Sequence, residues 1–302
     1  RSYVRAVDDI SFTLQEEEIL GFVGESGCGK STMSRAILRL TEPTDGKVFF
    51  RDREIISLGK KAFKAYRAKI QMIFQDPFGS LNPRRTVADT LYQTIKIHNL
   101  ADSKSRVASL IQRTLEEVEL KPYDQFWDKY PALLSGGQLQ RVSIGRVLVL
   151  QPSFVIADES VSMLDVSVRI GILDLLERMR DKFGISFIYI THDLVTARYI
   201  CDRIAIMYLG KIVEIGPTEE IVHNPRHPYT QALISAVPDP DPTAELPELP
   251  IKGYVPMALD EAFTGCKFYM RCPYSTNACR EQYPQMQEVG EGHQVSCFQI
   301  DT

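Results

Sequence analysis

The sequence lacks three features that would indicate other classes of protein. No apolar run approaches the roughly 20 residues that a membrane-spanning helix requires. Basic residues are not in excess, since 35 Lys and Arg stand against 39 Asp and Glu, and the net charge of −4 gives no basic field of the kind that nucleic-acid-binding proteins present. No internal repeat is visible. The 302 residues, 44% hydrophobic and 25% charged, are typical of a globular protein with one large domain or a domain and an extension.

Short apolar runs alternate with helical periodicity along most of the chain. The runs "ILGFV", "SFVIADE" and "GISFIYITHD" suit buried strands, while Ile172, Leu176 and Met179 recur at helical spacing. This alternation predicts a mostly parallel α/β sheet. The alternating residues 10–14 predict another strand in an antiparallel patch, "IAIMYLGKIVEIG" predicts a hairpin, and residues 84–130 are expected to be mostly helical.

The composition changes after residue 236. Six prolines fall between residues 238 and 256, which predicts a stiff linker or an extended segment. A cysteine-bearing tail follows it. We therefore expect a main domain over residues 1–236 and a linker with a small extension over residues 237–302.

A phosphate-binding pattern follows the first buried strand. "GESGCGKS" is a P-loop between a strand and a helical pattern, the context that this motif requires. Its glycines let backbone N–H groups converge on phosphate oxygens, its lysine reaches the β- and γ-phosphates, and the hydroxyl of Ser31 ligates Mg²⁺. We expect Cys28 to contribute its backbone N–H rather than its thiol. The predicted nucleotide-binding residues are Gly24, Ser26, Gly27, Cys28, Gly29, Lys30, Ser31 and Thr32.

Carboxylates end the strand "SFVIADE". Asp158 is expected to hold Mg²⁺, directly or through water, and Glu159 to orient and polarise the attacking water. His192 ends the next predicted strand. The pattern alone leaves it open whether His192 contacts the γ-phosphate or is a surface histidine.

Five motifs stand in one order: "GESGCGKS", "FQDP", "LLSGGQLQR", "VIADE" and "THD". Over about residues 1–225, their order and spacing resemble those of an ABC-transporter ATPase. The resemblance implies a P-loop NTPase fold with an antiparallel β patch and a helical subdomain at about residues 76–145. It also implies that ATP binds between the P-loop of one subunit and a segment of its partner, formed here by Ser135, Gly136, Gly137 and Gln138.

The resemblance assigns further roles. Gln75 of "FQDP" would lie near Mg²⁺ and the attacking water, His192 would be the switch histidine, and "SMLD" at residues 162–165 would cross the dimer interface. Ser160 stands where the family usually has proline, and Met163 stands where alanine is usual. Neither change removes a catalytic group. The aromatic residue that stacks on adenine is Tyr3 or a residue upstream of this sequence.

A narrower resemblance comes from "FQDPFGSLNPR", "DVSVR", "MYLGKIVEIGP" and "NPRHPYTQALISAVP". Together they resemble the ATPase subunits of dipeptide/oligopeptide importers. This implies two transmembrane permease subunits, a second ATPase subunit that is a paralogue or a second copy, and an extracytoplasmic substrate-binding protein. It places the chain peripherally on the cytoplasmic face of the inner membrane, and it makes "PFGSLNPRR", with Phe78 and Leu81, the docking edge for the membrane subunits.

Alternative functions remain open at this point. Nickel or another small solute fits the resemblance as cargo as well as peptides do. A soluble ABC-type ATPase usually carries a coiled-coil insertion or a second fused ATPase unit, and neither is visible. A module that binds ATP without hydrolysing it is disfavoured by Glu159 and His192.

Four of the six cysteines lie in the last 37 residues, at Cys266, Cys272, Cys279 and Cys297. In a reducing compartment a disulfide framework is not expected. The spacings of five, six and seventeen residues lack the tight pairs of structural zinc sites, whereas Cys₄ ligation suits an iron–sulfur cluster. Spacing does not decide between them, and His293 would be able to replace one cysteine around Zn²⁺. The tail resembles that of peptide-importer ATPases, some of which carry a 4Fe–4S cluster, so this cluster ranks first, Zn²⁺ second and no metal third, with a structural role.

Overall fold

The computed structural model describes residues 5–237, 251–253 and 263–300. Helices and strands alternate through the first two thirds of the chain, as the sequence predicts. None of the helices within these ranges is long and apolar enough to cross a membrane. The strands are β1 (Ile19–Val23), β2 (Phe49–Phe50), β3 (Arg53–Glu54), β4 (Ile70–Ile73), β5 (Phe154–Asp158), β6 (Ser186–Thr191), β7 (Arg203–Tyr208), β8 (Lys211–Pro217), β9 (Gln287–Gly290) and β10 (His293–Val295).

The helices fall into a middle group and a group that lies between and after the later strands. They are α1 (Lys30–Ile37), α2 (Lys60–Phe63), α3 (Pro77–Ser80), α4 (Val87–Ile97), α5 (Lys104–Glu117), α6 (Asp124–Trp127), α7 (Gly136–Leu148), α8 (Val166–Phe183), α9 (Leu194–Ile200), α10 (Thr218–His223), α11 (Pro228–Ser235) and α12 (Asn277–Glu281). The helical character expected of residues 84–130 is confirmed by α4, α5 and α6.

The first of two compact units joins the two ends of the chain: it takes the described residues of Arg1–Thr13, Ile19–Ala36 and Tyr189–Thr302. β1 runs parallel to β7, and β7 and β8 form the predicted hairpin. Every residue of β1 is buried, which explains its continuous apolar sequence. β8 pairs in turn with β10, and β10 pairs with β9.

The second unit takes Leu14–Glu18 and Ile37–Ile188. β4 and β5 are parallel partners in it, with Ile73 opposite Ala157, so their carboxyl ends lie together. The described helices α3 to α7 fall within residues 76–148, and the helical subdomain at about residues 76–145 stays a prediction. Strand β6 belongs partly to each unit, since its first three residues fall in this one and its last three in the other.

One strand prediction is wrong. Residues 10–14 form no strand in the described part of the chain, although their side-chain exposure alternates as expected. Alternation indicates a half-buried face and not a paired backbone. Phe12 still packs edge-on against Phe22 of β1, with 4.9 Å between ring centroids.

The C-terminal residues that follow the predicted linker join the first unit through its sheet. The backbone of β10 pairs with β8, and the imidazole of His293 lies 2.7 Å from a carboxylate oxygen of Glu214. Both side chains are buried, and the Glu214 carboxylate also accepts hydrogen bonds from the backbone N–H groups of Arg226 and His227. The proline-rich segment at residues 238–250 and Pro256 lie outside the described residues, and the boundary near residue 236 stays a prediction.

Candidate functional site

The P-loop connects β1 to α1 in the first unit. Residues 24–29 form the turn, and Lys30 opens the helix, so Ser31 and Thr32 occupy its first turn. Gly29 has φ +109°, and a Cβ there would collide with the backbone oxygen of Ala6. Only glycine suits both this conformation and this close approach. The eight predicted P-loop residues therefore lie in the turn between β1 and α1 and in the first turn of α1.

The donor chemistry of this turn suits a polyphosphate. Lys30 is buried, and its ammonium group donates to the backbone oxygens of Gly24 at 2.7 Å and Glu25 at 3.0 Å. A lysine held in this way neutralises phosphate charge at a site that a helix N-terminus also favours. The pKa of the Cys28 thiol is raised by burial, and the role of its backbone N–H stays a prediction.

His192 follows directly after the last residue of β6. Its side chain is exposed, and the next residue, Asp193, caps α9 by accepting from the backbone N–H of Val195 at 2.9 Å. The strand end and the helix cap thus fix the backbone on both sides of the histidine. The adenine-stacking candidate Tyr3 lies outside the described residues.

In the second unit, the ends of β4 and β5 bring Gln75 and Glu159 together. The amide nitrogen of Gln75 donates to a carboxylate oxygen of Glu159 at 2.8 Å. Asp158, the last residue of β5, is buried. Glu159 has φ +45°, a strained conformation for a non-glycine residue, and its backbone oxygen accepts from the N–H and hydroxyl of Ser162. Backbone strain of this kind is typical of functional positions.

The segment Ser135 to Gln138 starts α7 with a capping box. The hydroxyl of Ser135 accepts from the N–H of Gln138 at 3.3 Å, and the side-chain oxygen of Gln138 accepts from the N–H of Ser135 at 3.1 Å. A Cβ on Gly137 would overlap Val168 of α8, so this glycine permits close helix packing. The two side chains fix the helix start, at which the N–H groups of Gly136 and Gly137 lie in the first turn.

The two positions that depart from the commonest family pattern differ in environment. Ser160 is buried, and its hydroxyl has no hydrogen-bond partner among the described residues. A buried hydroxyl without a partner is a local weakness that proline would not have. Met163 is 63% exposed and projects from the "SMLD" loop. Both departures thus change the loop that follows Glu159.

The predicted docking edge holds one suitable side chain, not two. Phe78 lies on α3 and is 59% exposed, whereas Leu81 is only 4% exposed. Leu81 is therefore a core residue, and the expectation that it forms part of a docking surface is wrong. Asp76 caps α3 through the N–H of Phe78 at 2.9 Å, which fixes the backbone that presents the phenylalanine.

All four tail cysteines are buried and unpaired by disulfides. Burial, with smaller contributions from the other three cysteines, raises the pKa of Cys266 to about 12, and burial raises the pKa of Cys272 and Cys297. Within the described ranges, however, no group of three or more His, Cys, Asp or Glu side chains is arranged to hold a metal ion. The four thiols have suitable chemistry for a metal, but their arrangement does not form the predicted site.

Sequence reasoning missed a set of contacts behind the P-loop. Arg271, between two tail cysteines, forms a bidentate ion pair with Glu25 of the P-loop, and the hydroxyl of Tyr229 accepts from the N–H of Glu25. Glu25 occupies a position at which the P-loop pattern accepts any residue, so the motif gives no signal for it. No signal in the sequence connects residues 246 positions apart.

The comparison with protein families decides the classification. Residues 7–162 match the family described as ABC transporter. The chain belongs to the ABC transporter family. A second match, to the oligopeptide/dipeptide transporter C-terminal region, covers residues 213–279 of this ABC ATPase. The prediction of an ATP-hydrolysing ABC protein with a P-loop NTPase fold is confirmed at the level of the family.

Curated relatives cover almost the whole ABC protein. It is 43% identical over 296 residues to the putative oligopeptide transport ATP-binding protein YkfD of Bacillus subtilis. The aligned region covers 97% of this chain and 89% of that relative. It is 43% identical to the probable peptide ABC transporter ATP-binding protein y4tS of Sinorhizobium fredii, with 97% and 82% covered. It is 42% identical to the oligopeptide transport ATP-binding protein AppF of Bacillus subtilis, with 97% and 89% covered.

Solved structures agree on the fold. A dimeric post-hydrolysis state of the ATP-binding cassette MJ0796, bound to ADP and Pi, superimposes with a TM-score of 0.63 at 29% identity, covering 70% of this chain and 90% of that one. The cbiO1 protein from Clostridium perfringens, part of the ABC transporter complex cbiONQ, gives a TM-score of 0.66 at 27% identity, with 72% and 84% covered.

Proposed function

We propose that this chain is the ATP-hydrolysing subunit of an importer for dipeptides or oligopeptides. The match of residues 213–279 to the oligopeptide/dipeptide transporter C-terminal region carries this proposal, because it selects one branch among ABC ATPases. The relatives YkfD, y4tS and AppF support it, since each is described as a peptide or oligopeptide transport protein. The function requires two transmembrane permease subunits, a second ATPase subunit and an extracytoplasmic substrate-binding protein, with this chain on the cytoplasmic face of the inner membrane.

The site residues have distinct roles in the proposed reaction. Lys30 and the P-loop N–H groups bind the phosphates, and Glu159 accepts a hydrogen bond from the attacking water and polarises it for in-line attack on the γ-phosphate. The hydrogen bond from Gln75 supports this role, since it orients the Glu159 carboxylate. His192 contacts the γ-phosphate as the charge on it grows.

The remaining negative charge of the ATP phosphates would be neutralised by Mg²⁺ and by the partner subunit. Ser31, Gln75 and Asp158 have side-chain oxygens of the type that Mg²⁺ prefers, so they would hold the ion, and Mg²⁺ would supply charge neutralisation for the phosphates. The helix start at residues 135–138 acts in trans on the ATP of the partner, because its free N–H groups favour an anion. Closure of two subunits thus completes each site, and opening after hydrolysis resets the membrane subunits.

Reconstitution tests the function. The chain is purified with its two permease subunits and its second ATPase, placed in proteoliposomes, and supplied with the binding protein. We expect peptide-stimulated ATP hydrolysis and ATP-dependent accumulation of labelled di- or oligopeptide. If Ni²⁺ or another small solute stimulates hydrolysis and peptides do not, that solute and not a peptide is the cargo. Hydrolysis that never responds to the membrane subunits would favour a soluble ABC-type ATPase.

We propose for the extension that Cys266, Cys272, Cys279 and Cys297 ligate a 4Fe–4S cluster, with Zn²⁺ as the alternative. Support comes from four buried thiols, from the backbone hydrogen bond of 2.7 Å that joins Cys266 to Cys279, and from the chemistry of Cys₄ ligation. The described side-chain arrangement is not closed around an ion, so the proposal requires these side chains to rearrange on binding. The cluster would act as a staple for the tail and takes no part in ATP hydrolysis.

Metal analysis of protein purified without air decides between these outcomes. Broad visible absorbance with iron and sulfide near about four each per chain supports the cluster. A colourless protein with one zinc per chain supports the zinc staple. Protein that contains neither metal, with unchanged stability after Cys272→Ser, refutes both.

A further inference from the structure

Glu25 of the P-loop is held at its backbone N–H, its backbone oxygen and its side chain. Its backbone N–H donates to the Tyr229 hydroxyl at 3.0 Å, and its backbone oxygen accepts from the Lys30 ammonium group at 3.0 Å. Its carboxylate accepts two hydrogen bonds from the Arg271 guanidinium, at 2.9 and 3.0 Å. The N–H, carbonyl and side chain of one loop residue are therefore all fixed from within the first unit.

Arg271 lies against aromatic rings of the first unit. It is buried, and the centre of its guanidinium lies 5.7 Å from the ring centroid of Tyr208 and 5.8 Å from that of Phe268. Those rings pack on each other and on Tyr229, with centroids 4.7 to 5.4 Å apart. A bidentate arginine stacked in an aromatic group has little freedom to move. The pair thus connects the tail directly to the loop.

Lys267 makes a second connection four residues earlier. Its ammonium group binds the carboxylate of Asp8 at 2.8 Å and donates to the backbone oxygen of Leu209 at 2.8 Å. The next residue, Gly210, donates its N–H to the backbone oxygen of Cys28 in the P-loop at 2.7 Å. Residues 266–272 therefore approach the loop at two points, Glu25 directly and Cys28 through the β7–β8 turn.

We propose that Arg271 and Lys267 are positioning residues that hold the P-loop in its phosphate-binding conformation, so that residues 266–272 of the cysteine-bearing tail set the affinity for nucleotide. The inference rests on the proposed role of the P-loop as the nucleotide site. A loop that is already ordered binds phosphate without the cost of ordering its backbone, and this is the physical basis of the effect. The simpler alternative is that the ion pair only attaches the tail to the sheet, which would change stability and not affinity.

A double-mutant cycle separates the two roles. Arg271→Met, Glu25→Gln and the double variant are titrated with Mg²⁺ and a fluorescent N-methylanthraniloyl derivative of ATP, and thermal unfolding is followed on the same samples. We expect the dissociation constant to rise about tenfold in each single variant and no further in the double variant, because both changes remove one interaction. The kcat at saturating ATP falls by less than the dissociation constant rises. Arg280→Met removes an exposed arginine of the same tail and serves as the control.

Two further variants make the outcome unambiguous. Arg271→Lys keeps one charge in the same aromatic surroundings and is expected to restore part of the affinity if Arg271→Met folds poorly. Lys30→Ala tests the proposed function separately: nucleotide binding that survives this change refutes the P-loop assignment. If Lys30→Ala abolishes binding while Arg271→Met lowers only the unfolding temperature, the P-loop assignment stands and the positioning inference is wrong.

Discussion

Gln75 and Glu159 are 84 positions apart in the sequence and are joined by a hydrogen bond of 2.8 Å. Their strands, β4 and β5, are parallel neighbours, so the two residues meet at the carboxyl end of the pair. The bond holds the Glu159 carboxylate at the end of its strand. This geometry suits a glutamate that orients a nucleophile.

Glu159→Gln is therefore expected to lower the rate of ATP hydrolysis by about a hundredfold to ten-thousandfold, the usual contribution of a general base. Affinity for nucleotide stays close to that of the wild type, because the P-loop is intact. Phosphate release and nucleotide titration measure the two effects. Glu16→Gln is the control, since that side chain is 84% exposed and pairs at the surface with Arg51, which is itself 64% exposed. Hydrolysis at the wild-type rate in Glu159→Gln would refute its catalytic assignment.

Gly29→Ala tests the conformation of the P-loop. The substitution places a side chain at φ +109° and against the Ala6 backbone oxygen, so the free energy of unfolding should fall by about 1–3 kcal/mol and nucleotide affinity should fall with it. Chemical denaturation and nucleotide titration measure both. Gly59→Ala is the matched control, since Gly59 has φ −61° and open space around its Cβ position, and should change stability by less than about 0.5 kcal/mol. Equal effects of the two substitutions would contradict the argument.

Substitutions at Phe78 and Leu81 should have different effects, one on the coupling of ATP hydrolysis to transport and the other on folding. Phe78→Asp changes an exposed side chain, so stability is expected to stay within about 0.5 kcal/mol while transport by the reconstituted complex is lost and ATP binding remains. Leu81→Asp buries an unpaired charge and is expected to lower the free energy of unfolding by more than about 4 kcal/mol. Transport that survives Phe78→Asp would remove this side chain from the docking surface.

The buried His227 should make the protein less stable at acid pH. Burial lowers its pKa to about 4, although Glu214 opposes this, and the neutral ring accepts from the N–H of Tyr229 at 3.0 Å. The unfolded chain, with an ordinary histidine pKa near about 6.5, binds more protons between these two values, so stability is complete above about pH 6.5 and falls as the pH drops toward 4. The loss from this residue between pH 7 and pH 5 is about 2 kcal/mol.

Denaturation of the wild type and His227→Asn at the two pH values measures this contribution. Asparagine can cap the helix but does not titrate, so the variant should lose about 2 kcal/mol less than the wild type on acidification. His223→Asn, at a histidine whose side chain is 58% exposed, should leave the wild-type difference unchanged. Identical acid sensitivity in His227→Asn and the wild type would show that this residue is not responsible.

The sequence predicts the parts of this structure whose patterns are local. The P-loop lies between a strand and a helix as its motif requires, and the apolar runs of β5 and β6 are buried strands. Prediction from the sequence failed where a local pattern did not show how a residue packs. Residues 10–14 alternate and still form no strand, and Leu81 stands in a polar loop sequence and yet is buried.

Long-range contacts could not be predicted from the sequence, for a different reason. The pairing of β10 with β8 and the ion pair of Arg271 with Glu25 depend on how distant segments pack, which no local periodicity encodes. The predicted metal site shows the same limit, since cysteine spacing indicates ligand chemistry but not the positions of the sulfur atoms.

The joining of both chain ends in one unit has a consequence for synthesis of the protein. Translation passes β1, the P-loop and α1 by Ile37, but their partner strand β7 begins at Arg203, and the arginine that binds Glu25 follows 68 residues later. Until translation reaches these residues, the nascent chain has a complete motif without its supporting contacts. A chain that terminates prematurely before residue 266 has the whole P-loop sequence but neither Lys267 nor Arg271 to hold it, so translation to the tail is required before the loop has all its contacts.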